Sequence, residues 1–218
     1  WEGLGEAQKS SIMFKNYIKI AWRSLKKQPF FTFLNTFGLA IGMAGGLLIS
    51  LYIYDELSFD KMFADADRIH RVNGAIKFGG DAREFSVTPA PMAAALKNDF
   101  SEIELVTRFR NRGSALLKKI GAEANVKEEQ TTFVDHSFFE MFGVELLAGD
   151  VKTALKNPNT LVLTKTAAEK HFGIANAVGQ NMVLNNEENY TVVGVIDDLP
   201  QNSFLRDYSV FEAMEGNA

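Results

Sequence analysis

The stretch that decides the fold is FFTFLNTFGLAIGMAGGLLISLYIY, residues 30–54, in which no residue is charged. Only Thr32, Asn35, Thr36 and Ser50 are clearly polar there. An α-helix of this length would extend about 37 Å, which exceeds the roughly 30 Å of a bilayer's hydrocarbon core. A buried helix of a soluble protein is the alternative, but such helices seldom run so far without a charge. The stretch therefore predicts a helix that crosses a membrane.

The charges on either side of this stretch predict its orientation. Residues 1–29 carry six Lys or Arg against two Glu, a net charge of +4, whereas residues 30–218 carry 17 Lys or Arg against 25 Asp or Glu, a net charge of −8. By the positive-inside rule the basic flank stays in the cytoplasm, so residues 55–218 are predicted to be extracytoplasmic. The apolar run exceeds the core of a signal peptide, about 7–15 residues, and no small-residue cleavage site follows it, so we expect an uncleaved anchor.

A basic amphipathic helix is predicted over residues 13–29, directly before the span. Ile18, Trp22 and Leu25 recur at helical spacing on one face, while cations occupy much of the remaining surface. A Trp on the apolar face suits the interface between lipid and water, although docking on protein is the alternative. Pro29 is expected to end the helix because it cannot donate the helical hydrogen bond. The residues assigned to this interfacial elbow are Lys15, Lys19, Trp22, Arg23 and Lys26.

A stripe of small residues runs along the predicted span. Gly38, Gly42 and Gly46 repeat at intervals of four, which places them on one helix face. Helices in membranes approach each other closely where such residues replace larger side chains. We therefore expect this face to pack against other membrane helices, either of the same assembly or of a second copy of the chain.

Residues 55–218 mix strand and helix patterns. Strands are predicted over 71–78, 83–87, 104–110, 130–135, 160–164, 182–184 and 190–196, and helices over 89–100, 137–142 and 166–172. Thr166 and Glu169 match a capping box, and Gly173 is expected to stop that helix in the left-handed conformation. Because strands and helices do not alternate regularly, the predicted fold class is α+β.

The sequence thus predicts four segments. Residues 1–12 fit no pattern and are interpreted as an extension, since Met13 is a candidate initiator. An amphipathic helix follows over 13–29 and one transmembrane helix over 30–54. A mixed α/β extracytoplasmic domain occupies 55–218, and its length is sufficient for one sizeable core.

The sequence lacks the motifs of common active sites. It has no cysteine, which excludes disulfides, zinc–thiolate sites, iron–sulfur clusters and cysteine nucleophiles. The three histidines, His70, His136 and His171, have no second His or carboxylate at clear metal-ligand spacing. No Gly is followed by Lys, so a phosphate-binding P-loop is absent. No catalytic, metal-binding or cofactor-binding residue is predicted, and we do not expect an enzyme.

Two charged patterns in the second part of the chain have alternative interpretations. Arg108, Arg110 and Arg112 alternate along one predicted strand and would suit an acidic partner. The net acidity of residues 30–218 argues against nucleic acid. Asp197 and Asp198 are interpreted as a solvated strand exit rather than an acid–base pair, because adjacent strand residues point to opposite faces.

Several segments together resemble a MacB/FtsX-type ABC transporter permease. The similar segments are Met13–Tyr17, Gly38–Gly42, Asp55–Asp60, Ala66–Val72, then Phe172, Gly173, Asn176, Val178 and Gly179, and finally Tyr190–Ile196 with Asp198–Pro200 and Ser203. Ala177 replaces the proline usual in the turn that contains Phe172, Gly173, Asn176 and Gly179, so this turn is less rigid here. The family-motif residues to which the resemblance assigns a structural role are Asp55, Glu56, Asp60, Arg68, Phe172, Gly173, Gly179, Gly194 and Pro200.

The resemblance implies a permease subunit fragment with a MacB-like periplasmic core domain in the bacterial inner membrane. In the family a cytoplasmic ABC ATPase binds ATP and drives the permease, which acts on a substrate or partner outside the membrane. Export and lipoprotein release are the expected kinds of work, and a periplasmic adaptor or a lipoprotein is an expected partner. The chain ends without a second span, so the domain is expected to be incomplete. The alternative is a single-pass anchor for an extracytoplasmic module that binds a ligand or a protein.

The glycine stripe generates a first prediction. Replacing Gly42 by Leu should weaken association of the membrane helix, because the larger side chain prevents close approach of a partner helix. A membrane two-hybrid assay measures this association. An unchanged signal would rule out packing through the stripe.

Overall fold

The computed structural model describes residues 2–173 and 177–216, which form two compact units. The first unit ends at Leu57 and the second begins at Ser58. The first contains two helices and the second contains nine strands and three α-helices among the described residues. The predicted α+β class, with an N-terminal apolar helix followed by a mixed domain, is confirmed.

The first unit consists of α1 (Glu2–Lys27) and α2 (Pro29–Ser58). Pro29 does not end the first helix as predicted but is the first residue of the second. Proline suits this position because its missing N–H would have no helical partner there. The hydroxyl of Thr32 donates to the carbonyl of Leu25 across the break, at 2.9 Å. Residues 2–12, which the sequence set apart as an extension, continue the helix α1.

Helix α2 is, within the part of the chain that the structure describes, the one helix long and apolar enough to cross a membrane. It contains the whole charge-free stretch and extends four residues beyond it. None of its residues is buried within the chain. An apolar helix that buries nothing against its own protein needs another apolar environment, and a bilayer supplies one.

The second unit contains twelve regular elements in addition to a short 3₁₀ turn, Ala66–Arg68. In chain order they are β1 (Gly74–Phe78), β2 (Asp81–Phe85), α3 (Met92–Asp99), β3 (Phe109–Lys119), β4 (Val126–Val134), α4 (Phe138–Phe142), β5 (Leu146–Gly149), β6 (Thr160–Thr164), α5 (Lys165–Phe172), β7 (Asn181–Leu184), β8 (Glu188–Ile196) and β9 (Val210–Ala213). Strands β1 and β2 form a separate antiparallel hairpin.

Six of the other strands are joined in a closed ring of hydrogen bonds, in the order β8-β6-β9-β4-β3-β7 and back to β8. Strand β8 closes the ring because it pairs with β6 along one edge and with β7 along the first part of the other. The last part of that other edge pairs with β5. The pairs β6–β8 and β4–β9 are parallel, and the remaining pairs are antiparallel.

Two apolar clusters fill the unit. The first draws residues from β3, β6, β7, β8 and β9 and from α5, among them Leu117, Leu163 and Val192, all fully buried. The second packs α4 and the segments around Phe63 and Leu205 against β6, β8 and β9. Residues from five of the six ring strands meet in the first cluster, which also joins α5 to the ring.

Local patterns predicted some elements well and others poorly. Strand β6 has the predicted bounds, and α5 ends at Phe172 as expected. Strands β5 and β9 were not predicted, residues 104–107 form no strand, and β3 and β4 are longer than expected. Gly173 has a positive φ of 68°, but its ψ of −143° is not left-handed helical. Essentially only glycine adopts this conformation.

The predicted capping box at the start of α5 is wrong in register. Thr164, not Thr166, caps the helix, since its side-chain oxygen accepts from the backbone N–H of Ala167 at 3.4 Å. The hydroxyl and the N–H of Thr166 donate instead to the carboxylate of Asp198, at 2.6 and 3.0 Å. Asp198 is exposed just after β8, in agreement with its interpretation as a solvated strand exit, and it also caps α5.

Glu128 of β4 fastens α5 to the ring. Its Oε1 lies 2.8 Å from Lys170 Nζ and 2.9 Å from His171 Nε2, and its Oε2 accepts from the hydroxyl of Ser209 at 2.8 Å. Burial opposes ionisation of this carboxylate, but the hydrogen bonds from His171, Lys170 and Ser209 outweigh it and lower the pKa of Glu128 to about 2. His171 thus has a structural role, as expected from the sequence.

The lowered pKa of Glu128 predicts that the folded state becomes less stable in acid. A carboxylate whose pKa falls from 4.5 to about 2 on folding stabilises the folded state above pH 4.5, and this contribution disappears as the pH falls toward 2. The difference in pKa corresponds to roughly 3 kcal/mol. Calorimetry of the full chain in detergent should therefore show that Glu128→Gln lowers the melting temperature at pH 7 much more than near pH 2.

Glu129→Gln is the matched control, because Glu129 is the adjacent residue of the same strand and its side chain is 74% exposed. It should change the melting temperature little at any pH, because exposed ion pairs contribute little. Equal effects of the two substitutions at pH 7 would contradict the role assigned to Glu128.

Candidate functional site

The junction is the place where the chain leaving α2 meets the segment that follows β8. We define it by two segments, Ser58–Asp60 and Asn202–Phe204. The side-chain amide of Asn202 donates to the carbonyl oxygen and the hydroxyl of Ser58, both at 3.2 Å. The N–H of Asp60 donates to the carbonyl of Asn202 at 2.8 Å. The N–H of Phe204 donates to Asp60 Oδ1 at 2.9 Å.

Asp60 takes part in the junction through both its backbone and its side chain. Its φ of 58° lies in the left-handed region, which a β-branched or large residue adopts only with strain. Asp and Asn tolerate that region better than other residues with a side chain. The position therefore requires a residue that combines this backbone conformation with a short side-chain acceptor, and Asp60 supplies both.

A cluster of aromatic rings supports the junction. The ring of Phe204 lies 5.5 Å from that of Phe142 and 5.9 Å from that of Phe109, between centroids. Phe63, which is 5% exposed, stacks edge-on to Phe142 at 4.9 Å. Phe142 in turn lies 4.7 Å from Phe138, a fully buried residue of the second apolar cluster. The junction is thus continuous with the core of the domain through direct ring contacts.

The turn after β8 positions Asn202 and Phe204. The carbonyl of Pro200 accepts from the N–H of Ser203 at 3.2 Å, and the hydroxyl of the buried Ser203 accepts from the N–H of Leu205. Leu205 is fully buried in the second apolar cluster. Pro200 therefore belongs to the turn that presents the junction residues, while its own side chain is exposed.

The structure brings together two of the segments that carried the family resemblance. Asp60 belongs to the segment after the membrane helix, and Pro200 and Ser203 belong to the segment after the last predicted strand. About 140 residues of chain separate them. Sequence reasoning identified both segments but did not predict their contact, and it missed Asn202 and Phe204.

The remaining motif residues serve separate local roles. Asp55 and Glu56 lie in the last turn of α2 and are exposed. Arg68 pairs with Glu104 at 2.7 Å on the surface, where ion pairs contribute little to stability.

The glycines of the last third of the domain are structural. A Cβ on Gly194 in β8 would lie 2.5 Å from Leu146 Cδ2, so a side chain there would require Leu146 to shift. Gly179 has a φ of 85°, and its N–H donates to the carbonyl of Val192 at 2.8 Å. Phe172 is buried in the first apolar cluster. Asn176 of the same motif lies outside the described residues.

The glycine stripe and the interfacial elbow lie in the first unit. A Cβ on Gly38, Gly42 or Gly46 would meet no other atom within 4 Å in the described chain, so the stripe is open. The elbow residues are all exposed, and Lys26 Nζ lies 5.5 Å from the ring centroid of Trp22. These are Lys15, Lys19, Trp22, Arg23 and Lys26. Their membrane and packing roles stay predictions.

The arginine pattern has internal partners rather than a surface for an acidic protein. Arg108 binds Asp135 with its Nη2 2.8 Å from Oδ1. Arg112 pairs with Glu212, whose side chain is fully buried. Arg110 lies over the ring of Phe133, with its Cζ 4.5 Å from the ring centroid.

Among the described residues, no three His, Asp or Glu side chains converge in a way that would hold a metal ion.

These observations define a class of protein: an α+β domain joined directly to the end of an apolar helix that is long enough to span a membrane. The chain belongs to the family of MacB-like periplasmic core domains, whose model matches residues 32–213. The match begins within α2 and ends at the last residue of β9, so it includes both segments of the junction. The resemblance to MacB/FtsX-type permeases is confirmed.

Solved structures of permease domains resemble the chain. A domain of a protein assigned as a permease from Porphyromonas gingivalis is 25% identical, with a TM-score of 0.54, over 61% of this chain and 60% of that one. The periplasmic region of MacB from Actinobacillus actinomycetemcomitans is 18% identical, with a TM-score of 0.45, over 56% and 53%. The extracellular domain of the noncanonic ABC-type transporter YknZ from Gram-positive bacteria is 13% identical, with a TM-score of 0.44, over 58% and 63%.

The chain thus spans less than two thirds of the length of each of these structures. No curated protein matches it. The chain is homologous to the periplasmic domains of ABC-type permeases, and the relationship rests on the family match.

The junction generates a prediction about stability. Asp60→Ala removes the acceptor for Phe204 N–H and places alanine in the left-handed region, so it should destabilise the second unit by about 2–3 kcal/mol. Asp60→Asn keeps an acceptor and a residue that tolerates this conformation, so it should cost less than about 1 kcal/mol. Hydrogen exchange of the peptide around Phe204 in the full chain measures the difference. Equal protection in the two variants would contradict the role of Asp60.

Proposed function

We propose that this chain provides the first membrane helix and the periplasmic core domain of an ABC transporter permease. The permease couples ATP hydrolysis by a partner ATPase in the cytoplasm to work outside the membrane, either export or lipoprotein release. The observation that carries this proposal is the junction, because Ser58 is both the last residue of α2 and a hydrogen-bonded member of the domain.

Such a junction suits mechanical coupling. A displacement of the end of α2 acts on Ser58 and Asp60, which are bonded to Asn202 and Phe204. Phe204 contacts the aromatic cluster, and through it the core. The chain needs no catalytic group for this work, since the free energy comes from ATP bound by another subunit. The sequence itself contains no P-loop.

The orientation follows from the charge distribution. The net charge of +4 on residues 1–29 favours a cytoplasmic N-terminus and places residues 55–218 in the periplasm of a bacterium, with α2 in the inner membrane. The exposed elbow then lies at the cytoplasmic surface, on the side of the proposed ATPase. The open glycine stripe supports packing with other permease helices or with a second copy.

The decisive test of the proposal is whether the chain binds a partner ATPase. The tagged full chain, purified in mild detergent from membranes of its own bacterium, should carry with it a protein that contains a P-loop and hydrolyses ATP. Asp60→Ala should leave this partner bound but abolish the response of ATP hydrolysis to the periplasmic cargo or adaptor, whereas Asp60→Asn should retain it. The substitution lies on the opposite side of the membrane from the ATPase, so loss of ATPase binding in Asp60→Ala alone would also contradict the model.

Labelling of single cysteines controls for orientation, because the chain contains no cysteine of its own. In intact spheroplasts a membrane-impermeant maleimide should label Lys152→Cys but not Lys19→Cys. After the membrane is permeabilised, the maleimide should also label Lys19→Cys. The opposite pattern would overturn the proposed orientation. A correctly oriented chain that binds no ATPase would favour an anchored module that binds a ligand or a protein.

A further inference from the structure

Three large apolar side chains remain exposed next to the junction, although the residues beside them are bonded or buried. Phe59 is 39% exposed, Met62 is 43% exposed and Phe204 is 38% exposed. By contrast Phe63, the residue after Met62, is buried. The backbone of Phe204 is fixed by its bond to Asp60, and its ring contacts Phe63, Phe109 and Phe142 but stays partly exposed. We call these three residues the apolar rim.

The length of α2 places the apolar rim relative to a bilayer. The helix has 30 residues and is therefore about 45 Å long, while a bilayer including its headgroup layers is about 40–45 Å thick. When α2 crosses the membrane, Ser58 lies at the outer boundary of the headgroups. Phe59 is the next residue, Met62 is four residues away, and Phe204 is bonded to Asp60. All three residues are therefore close to Ser58, either along the chain or through the bond between Phe204 and Asp60.

The charges near the apolar rim are mixed. Lys61 and Arg206 are exposed cations, while Asp55, Glu56 and Asp207 are exposed anions, with Arg206 Nε 3.5 Å from Asp207. Because these charges largely offset each other, electrostatic attraction to anionic lipids is weak. Burial of aromatic and apolar side chains among headgroups and upper acyl chains is the favourable contribution, as it is for interfacial aromatic residues in general.

We propose that the apolar rim is a membrane-contact surface, through which Phe59, Met62 and Phe204 insert into the outer headgroup layer. This inference rests on the proposed membrane span but not on the partner ATPase. Such a contact holds the junction against the bilayer surface, so that α2 does not move at its outer end without displacing lipid. The occupant is the lipid surface itself rather than a protein.

Spin labels on single cysteines test the proposal in the full chain, reconstituted as one copy per nanodisc of phosphatidylethanolamine and phosphatidylglycerol. The label on Met62→Cys is the main probe, since Met62 is 43% exposed and its replacement should affect folding little. It should be accessible to molecular oxygen, which dissolves in lipid. A water-soluble nickel chelate should reach it several-fold less often than it reaches a control label.

Leu147→Cys is that control, because Leu147 of β5 is a 58% exposed apolar residue of the same unit. Leu47→Cys, in the middle of α2, reports whether the helix lies in the bilayer. If the Met62 and Leu147 labels are equally accessible to the chelate, the proposal that the apolar rim contacts the membrane is wrong, but the proposed membrane span is not affected. If neither reagent reaches the Met62 label, protein covers the apolar rim, and the lipid assignment is again wrong.

The Leu47 label separates failure of this inference from failure of the proposed function. If the chelate reaches Leu47 freely, α2 does not cross the bilayer, and both proposals fall together. Raising the salt concentration gives an independent check. Protection of the Met62 label should persist in high salt, because apolar insertion is not screened, whereas loss of protection would indicate electrostatic adsorption instead.

Discussion

The second unit depends on strand β8, which is hydrogen-bonded along both edges. One edge pairs with β6, and the other pairs first with β7 and then with β5. Without β8 the ring would be open between β6 and β7, and β5 would have no partner strand in the described sheet. Its side chains also enter both apolar clusters, with Val192 in one and Ile196 in the other. The close approach of Leu146 at Gly194 is a direct consequence of this crowding.

The chain leaving β8 performs two tasks within eight residues. Asp198 caps α5 through Thr166, and Asn202 and Phe204 then bind the residues that follow α2. A short path of covalent and hydrogen bonds therefore connects the centre of the ring with the end of the apolar helix. This path joins two of the segments that carried the family resemblance. One supplies the left-handed Asp60 and the other supplies the turn that presents Asn202.

Sequence patterns predicted what depends on local chemistry. The absence of charge over residues 30–54 predicted α2, and the apolar runs of β6 and β8 predicted strands, because burial on both faces leaves such runs. Four-residue strands such as β5 and β9 were missed, since their partners rather than their composition define them. The capping contact of Asp198 was missed for the same reason: the helix that it caps begins more than thirty residues earlier. No local signal marked Asn202, whose partner Ser58 is 144 residues away. The roles of the glycine stripe, the elbow and the motif residues stay predictions.

The two ends of α2 differ in a way that bears on function. At Pro29 the helix is separated from α1 by a single residue, and the described side-chain bond across this break is the one from Thr32 to Leu25. At Ser58 the chain enters a network of hydrogen bonds that leads into packed aromatic rings. A proline break with few bonds deforms at low cost, whereas a hydrogen-bonded network continuous with packed rings resists local opening. Under the proposed coupling, a force applied along α2 would be absorbed at its basic end and delivered at its acidic end. The apolar rim lies at the end that delivers it, where contact with lipid would limit motion to directions that leave the membrane surface undisturbed.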